Sequence, residues 1–194
     1  MALASCLSCQ RQDEKGFNDT ELNIINGSDS IMRVLTIEDE SDLAVLRSSS
    51  TDLSLAALQS DEYDKLAELM VATVTHPSQD GVGIAAPQVG INRRIVAVQR
   101  FDKEGEPFEV YPNIRIVWAS DSLATGPEGC LSVPDRRGDV LRSQEIVIEY
   151  ADMKAASSAK DTIPMVRDTV SGFSAVIFQH EIDHLEGILY IDRL

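Results

Sequence analysis

The sequence predicts an α+β fold in which antiparallel sheets pack around a C-terminal helix, and three observations predict it. Stretches with strand character recur between residues 94 and 170, parted by turn residues. An amphipathic helix precedes them at 61–76, and a helix with an apolar stripe closes the chain at 171–186. Strands followed by a late buried helix favour antiparallel pairing over alternating βαβ units.

Residues 1–31 are polar, rich in Asn, Asp, Ser and Gln, and lack a sustained apolar period, so they read as a flexible acidic extension. The texture changes at Met32, where 32–194 begins as one folded unit. Residues 31–35 (Ile-Met-Arg-Val-Leu) suit a short strand, and 42–47 a turn or short helix. In 61–76, Leu66, Leu69, Met70 and Val74 repeat at helical spacing, acids occupy the first turn and Pro77 follows the end. A Gly/Ala-rich loop at 81–90 leads to a strand at 94–101, a turn at 103–107 and one extended stretch at 109–119. Residues 125–138, broken by Pro and Gly, read as irregular. A strand at 145–152, a polar loop at 153–160 and a strand at 162–170 complete the sheets, and Gly187 is placed to cap the last helix.

Charge and composition exclude several function classes. The chain of 194 residues carries a formal net charge of −15; residues 1–80 hold 15 acids against 5 bases, and residues 81–194 hold 17 against 12. Such a balance argues against nucleic acid as a partner, because a phosphate backbone is gripped by a basic surface. No apolar run approaches the roughly 20 residues of a membrane span. The opening Met1-Ala2-Leu3-Ala4-Ser5-Cys6 lacks the basic start of a secretory signal, which favours a cytoplasmic location. Leu3-Ala4-Ser5-Cys6 is similar to the cleavage box of bacterial lipoproteins, so membrane attachment through Cys6 is the minor alternative if a leader is missing. Cys6, Cys9 and Cys130 do not form a disulfide framework and suit a reducing compartment. Cys6-x-x-Cys9 has redox or zinc spacing, but without a βαβ pattern or a second ligand pair it reads as inert.

The chemistry concentrates in the last helix, at His180-Glu181-Ile182-Asp183-His184. Two histidines at i and i+4 project from one face, close enough for both rings to hold a single ion. Glu181, beside the first, can take a proton from a water on that ion and later deliver it to a leaving group. Phe173, Val176 and Ile177 fall on the same stripe as the two rings, so this metal-binding stripe is expected to face the core. A catalytic site usually needs a third protein ligand and an open position. The 10 residues after His184 leave no room for a distant downstream carboxylate, and Tyr190 stands where a third His would be needed. His76, beside Pro77, reads as solvated. Cys130, between Pro127 and Pro134, is therefore the natural third ligand, and a thiolate with two imidazoles suits Fe(II), Zn or another late first-row ion.

Hydrolysis at a carbonyl also needs donors aimed at the oxygen that gains charge. The Gln88 amide can donate at any pH, and Leu131 offers the backbone N–H next to the Cys130 sulfur. Gly81 and Gly83 leave backbone uncovered, where an extended peptide can pair as an added strand. That loop lacks the glycines of a dinucleotide fingerprint and the Gly-Lys-Ser/Thr of a nucleotide loop.

Taken together, Gly81-Val-Gly-Ile-Ala-Ala-Pro-Gln88, Glu128-Gly-Cys-Leu-Ser132 and Gln179-His-Glu-Ile-Asp-His-Leu-Glu-Gly187 resemble the three motifs of the peptide deformylases, in order and approximate separation. The resemblance spans about residues 32–194. It implies a metal-dependent hydrolase that removes the N-formyl group from the N-terminal formylmethionine of new polypeptides and releases formate. It implies one divalent ion on Cys130, His180 and His184, with Fe(2+) physiological and Zn(2+) or Ni(2+) common in purified protein. Carried over by position, Glu181 is the general acid/base, and Gln88 with the Leu131 amide holds the oxyanion. In the same way Val82 and Gly83 bind the peptide backbone, while Glu128, Arg137, Phe173, Val176 and Ile177 line the methionine pocket or its mouth. A formyl carbon bears only hydrogen as its second substituent, so a tight pocket would admit it and refuse an ordinary peptide bond.

The chain also departs from that pattern. Its N-terminal segment is longer and more acidic, and it stops at Leu194 where many bacterial members continue into a helix associated with ribosome docking. That and the charge put direct ribosome binding in doubt. Tyr111-Pro112-Asn113 and Leu141 differ from the commoner residues of those loops. The competing readings are a zinc peptidase of another lineage, which would need a third ligand other than Cys130, and an inactive metal-binding homologue, which would need neither Glu181 nor Gln88.

Overall fold

The computed structural model describes residues 16–194; the Cys6-x-x-Cys9 pair and the lipoprotein-like box lie outside the described residues. The chain begins with helix α1 (Asp19–Asn26). Asn18 starts it: the Asn18 side chain accepts the Glu21 N–H at 3.0 Å, and Glu21 in return accepts the Asn18 N–H at 2.7 Å. Phe17 and Ile25 are buried, and Glu21 is forked by Arg93 at 2.6 and 3.0 Å. The expectation of a flexible segment is therefore corrected for residues 16–31. The apolar signal there, Phe17, Leu22, Ile24 and Ile25, is too short for a sustained periodicity to show, yet a reciprocal cap and an ion pair fix it.

Residues 31–35 do not form the expected strand; they are held by isolated bonds, the Met32 N–H to Thr73 Oγ1 at 2.8 Å and the Leu35 N–H to the Gln88 carbonyl at 2.8 Å. Helix α2 (Glu40–Leu46) follows, capped by Asp39, and α3 (Leu55–Leu58) is a single turn capped by Ser54. Helix α4 (Asp61–Val74) starts at Ser60 and buries Leu66, Leu69, Met70 and Val74, the residues whose spacing predicted it.

Three short strands then form an antiparallel sheet: β1 (Gly83–Ala85), β2 (Ile95–Gln99) and β3 (Phe108–Pro112), in that order. The expected single stretch at 109–119 is instead two strands in different sheets. The break falls at Asn113, which takes φ +54°, a conformation Asn tolerates, and whose amide bonds both the N–H and the carbonyl of Leu53. Beyond it β4 (Arg115–Ala119) joins β7 (Glu145–Ala151) and β8 (Met165–Ser171) in a second antiparallel sheet, order β4-β7-β8. The 153–160 loop holds one helical turn, α5 (Met153–Ala156).

Residues 125–138 are not irregular. They belong to a long antiparallel hairpin, β5 (Leu123–Cys130) and β6 (Val133–Ser143), turned at Leu131 and Ser132 and shifted in register between Glu128 and Cys130. Pro127 and Pro134 read as breakers, but both strands of a two-stranded ribbon are edges, where a missing N–H costs little.

Helix α6 (Gly172–Leu185) lies where these layers meet. Strand β2 shows why. Its alternation sends Ile95 and Ala97 into a core with α4 and Ile25, and Val96 and Val98 into a second core with Ala175, Phe178, Ile182 and Leu185 of α6. The second sheet adds Ile146, Ile148 and Val170 to that core, so α6 is enclosed and the fold class predicted from sequence is the one observed. Gly187, at φ +70°, ends the helix; a Cβ there would lie 2.4 Å from the Arg47 carbonyl oxygen, so only glycine fits. A closing 3-10 turn, Tyr190–Arg193, packs on the hairpin.

Candidate metal centre

Two fixed elements bring the site together. Helix α6 presents His180 and His184 one turn apart, with ring centroids 5.2 Å from each other. The tight end of the β5–β6 hairpin swings Cys130 over them, and its Sγ lies 3.2 Å from His184 Nε2. One ligand atom from each of Cys130, His180 and His184 falls within 4.8 Å of the other two. A tetrahedral ion with bonds of ~2.0–2.3 Å sets its ligands roughly 3.3–3.8 Å apart, so the three fit one small cation.

The electrostatics around the triad suit a shared cation. Burial opposes a proton on His180, but Cys130 and Glu128 beside the ring outweigh it and raise its pKa to about 10. His184 is driven far down by burial and by the His180 ring, and its Nδ1 has no partner. A cation shared by the sulfur, His180 and the His184 nitrogen that faces Cys130, Nε2, would take the place of the proton on His180.

Glu128 fixes the ring of His180. Its Oε2 lies 2.7 Å from His180 Nδ1, and because a carboxylate can only accept, the ring carries a proton on Nδ1, which makes Nε2 the nitrogen that would ligate once its own proton is displaced. Burial alone would raise the Glu128 carboxyl; Arg142, bonding it at 2.8 and 3.0 Å, and His180 overcome this and hold it at about 2. Arg142 also donates to Asp183 at 2.6 Å, and Asp183 is forked in turn by Arg193.

Glu181 is buried, and no hydrogen-bond partner reaches its Oε2. Burial pushes its carboxyl up to about 7, which suits a group that must both take and return a proton near neutral pH. Gly83 makes room for it: a Cβ at Gly83 would lie 2.6 Å from Glu181 Oε1 and 2.8 Å from Ile177 Cγ2. Gln88 sits in the 3-10 turn Ala86–Val89 after β1, its Oε1 accepting the Ala85 N–H at 2.8 Å. That bond aims the amide NH₂ at the centre, 3.5 Å from Cys130 Sγ and 3.2 Å from Ser132 Oγ.

These groups open on a cleft of about 760 Å³. Val82, Gly83, Gln88, Glu128, Cys130, Leu131, Arg137, Phe173, Val176, Ile177, His180 and Glu181 all line it, and His184 lies behind. Two expectations shift. Phe173 does not face the core but is 55% exposed at the rim, leaning on Phe101 with centroids 5.2 Å apart. Glu128 reaches the cleft wall, but both its carboxylate oxygens are taken up by Arg142 and His180. His76 is exposed, bonded to Ser78.

Sequence reasoning missed Ser132, Arg142, Asp183, Tyr190 and Arg193. One signal was available: an Asp between two inward-facing histidines on a buried helix requires a buried cation, which Arg142 of β6 supplies.

The polypeptide deformylase family model matches residues 31–194. Peptide deformylase 2 of Gloeobacter violaceus is 40% identical over 152 residues, covering 77% of this chain and 74% of that protein. Among solved structures, a class I type b peptide deformylase from Acinetobacter baumannii is 34% identical with a TM-score of 0.73, covering 86% of this chain and all of the other. The Met-Ala-Ser-bound form of that enzyme gives 34% and 0.71, over 84% of this chain and 98% of the other.

Proposed function

This chain belongs to the polypeptide deformylase family, and from that premise we propose how its residues carry out the family's reaction, the metal-dependent hydrolysis of the N-formyl group from formylmethionyl peptides. One observation carries the reading: Cys130, His180 and His184 converge beside a Glu181 oxygen without a partner, at the floor of an open cleft. The catalytic unit is taken as residues 32–194.

A divalent ion held by Cys130, His180 and His184 would supply a Lewis acid and lower the pKa of a water. The rest falls to the chain. Gly83 and Val82 pair with the backbone of the peptide's first residue, in the manner of an added strand, and bring the formyl carbon over Glu181. Glu181 takes the proton of the attacking water, and the Gln88 amide with the Leu131 N–H receives the oxygen that turns anionic. Glu181 then passes its proton to the departing amine, and formate leaves. Val176 and Ile177 form the apolar wall for the methionine side chain, with Phe173 and Arg137 around its mouth and the buried Glu128 in the wall beneath. The narrow space beside Glu181 favours hydrogen over carbon as the second substituent, which separates the reaction from peptide-bond cleavage.

The thiolate–imidazole donor set fits Fe(2+) as the working ion, with Zn(2+) or Ni(2+) as replacements in purified protein. The substrates are nascent formylmethionyl chains in the cytoplasm, and the −15 charge argues against direct docking on ribosomal RNA. Among the described residues no helix is long and apolar enough to cross a membrane. The test is anaerobic purification, metal quantification and formate release from formyl-Met-Ala-Ser. Metal-dependent turnover in the parent, and a Glu181→Ala variant that keeps its ion but loses about 10²-fold or more in kcat, support the reading. Parent turnover that survives complete metal removal would sink it.

A further inference from the structure

The C-terminal turn touches the metal centre from behind at two places. The Tyr190 ring stacks on the His180 ring, with centroids 5.9 Å apart and planes at 23°. Arg193, three residues on, forks Asp183 with Nε and one terminal nitrogen. Asp183 is bound to Arg142, Arg142 to Glu128, and Glu128 to His180 Nδ1. Of these charged side chains, Glu128, Arg142 and Asp183 are 5%, 4% and 12% exposed, whereas Arg193 is 40% exposed.

We infer that Arg193 is a positioning residue for the metal centre: it is the surface anchor of the chain Arg193–Asp183–Arg142–Glu128 that holds His180 as a ligand. Charge balance gives the reason. The buried part holds two carboxylates and one guanidinium, so Arg142 alone must serve both Asp183 and Glu128 from a single planar fork. Arg193 supplies the missing positive charge and neutralises Asp183 from outside. Arg142 can then spend its Nε and one terminal nitrogen on Glu128 in a bidentate geometry, which fixes the carboxylate that orients His180. Without Arg193, Asp183 competes for the same guanidinium, and the Glu128–His180 contact loosens although no ligand has been touched.

The inference concerns retention of the ion and rests on the ligand assignment above, but its readout needs no turnover. Zinc-loaded protein is mixed with excess chromophoric chelator, and the release rate is compared among the parent, Arg193→Ala, Arg193→Lys and Arg47→Ala. Arg47 pins the same turn through Asp192 and the Gly187 carbonyl but does not reach Asp183, so it reports on loosening of the turn and on loss of a nearby positive charge, both without the Asp183 contact. Release about tenfold faster in Arg193→Ala, partial rescue by Lys and a parent-like rate in Arg47→Ala are expected. Thermal unfolding of the metal-free forms should then separate the variants less than that of the zinc-loaded forms. Equal release from Arg193→Ala and parent, or equal acceleration by Arg47→Ala, overturns the inference. If formate release is absent in the parent while these differences stand, the functional reading fails and the positioning role survives.

Discussion

Glu128 Oε2 accepts the Nδ1 proton of His180 across 2.7 Å, and that one bond ties the β5–β6 hairpin to α6 at the metal centre. The same short segment that delivers Cys130 thus also decides which nitrogen of His180 is turned toward the Cys130–His184 pair. Glu128→Gln tests the coupling. The amide keeps the volume but has a single carbonyl oxygen for both Arg142 and His180, and its NH₂ would face donors. Metal affinity should fall about 10- to 100-fold in chelator competition, with kcat for the fully loaded enzyme changed less. An unchanged affinity would mean that ring orientation is set elsewhere.

Gly83 is required by contact and not by backbone conformation. A methyl group placed there would press on Glu181 Oε1 at 2.6 Å and on Ile177 Cγ2 at 2.8 Å. Gly83→Ala should therefore displace Glu181, the proposed proton carrier, while leaving the triad intact. The expected result is unchanged metal content with kcat lower by about 10²-fold, since misplacement of reacting groups by about 1 Å carries that cost. Loss of the metal along with activity would instead indicate that β1 and α6 separate.

Much of the site was legible because its residues are chemically unusual for where they sit: two histidines and a glutamate on one buried helix, and one cysteine between prolines. The helix α4 was legible because four apolar residues share a face. What escaped was whatever depends on contacts distant in sequence. Arg142 reads as an ordinary strand residue until it is seen to lie between Glu128 and Asp183, 14 and 41 positions away. The hairpin around Cys130 escaped because Pro127, Pro134 and the glycines carry loop propensity, which the open edges of a two-stranded ribbon tolerate. The break at Asn113 escaped because it depends on a side chain reaching Leu53, 60 positions earlier.

Helix α1 makes a separate prediction, since it lies in the segment whose composition suggested no fixed structure. Ile25 is wholly buried against the α4 core and Glu21 is paired to Arg93. Ile25→Ala should lower the denaturant-derived stability by about 2–5 kcal/mol, the range for a large aliphatic side chain deleted from a packed core. A cost under ~0.5 kcal/mol is what an undocked helix would give.

Behind α6, on the side away from the cleft, Arg100 is wholly buried with Tyr111 and the carboxylates of Asp102 and Asp168, and its guanidinium lies 5.7 Å from the Phe178 ring. The Arg100 hydrogen bonds hold the Asp102 carboxyl at about 2, against an ordinary value of 3.8. A carboxylate whose pKa is lower in the folded state than in the unfolded one stabilises the fold once it is ionised in both. Its contribution is therefore complete above pH ~4 and is lost as the pH falls from there through about 2. The contribution is about 1–2 kcal/mol, reduced from the full shift because the carboxyl is partly open to solvent. Unfolding of the parent and of Asp102→Asn, followed from pH 7 to pH 2.5, should show the parent more stable at neutral pH and the gap closing on the acid side. A gap that stays constant down to pH 2.5 would show that the Asn side chain loses packing or hydrogen bonds and not the charge pairing with Arg100.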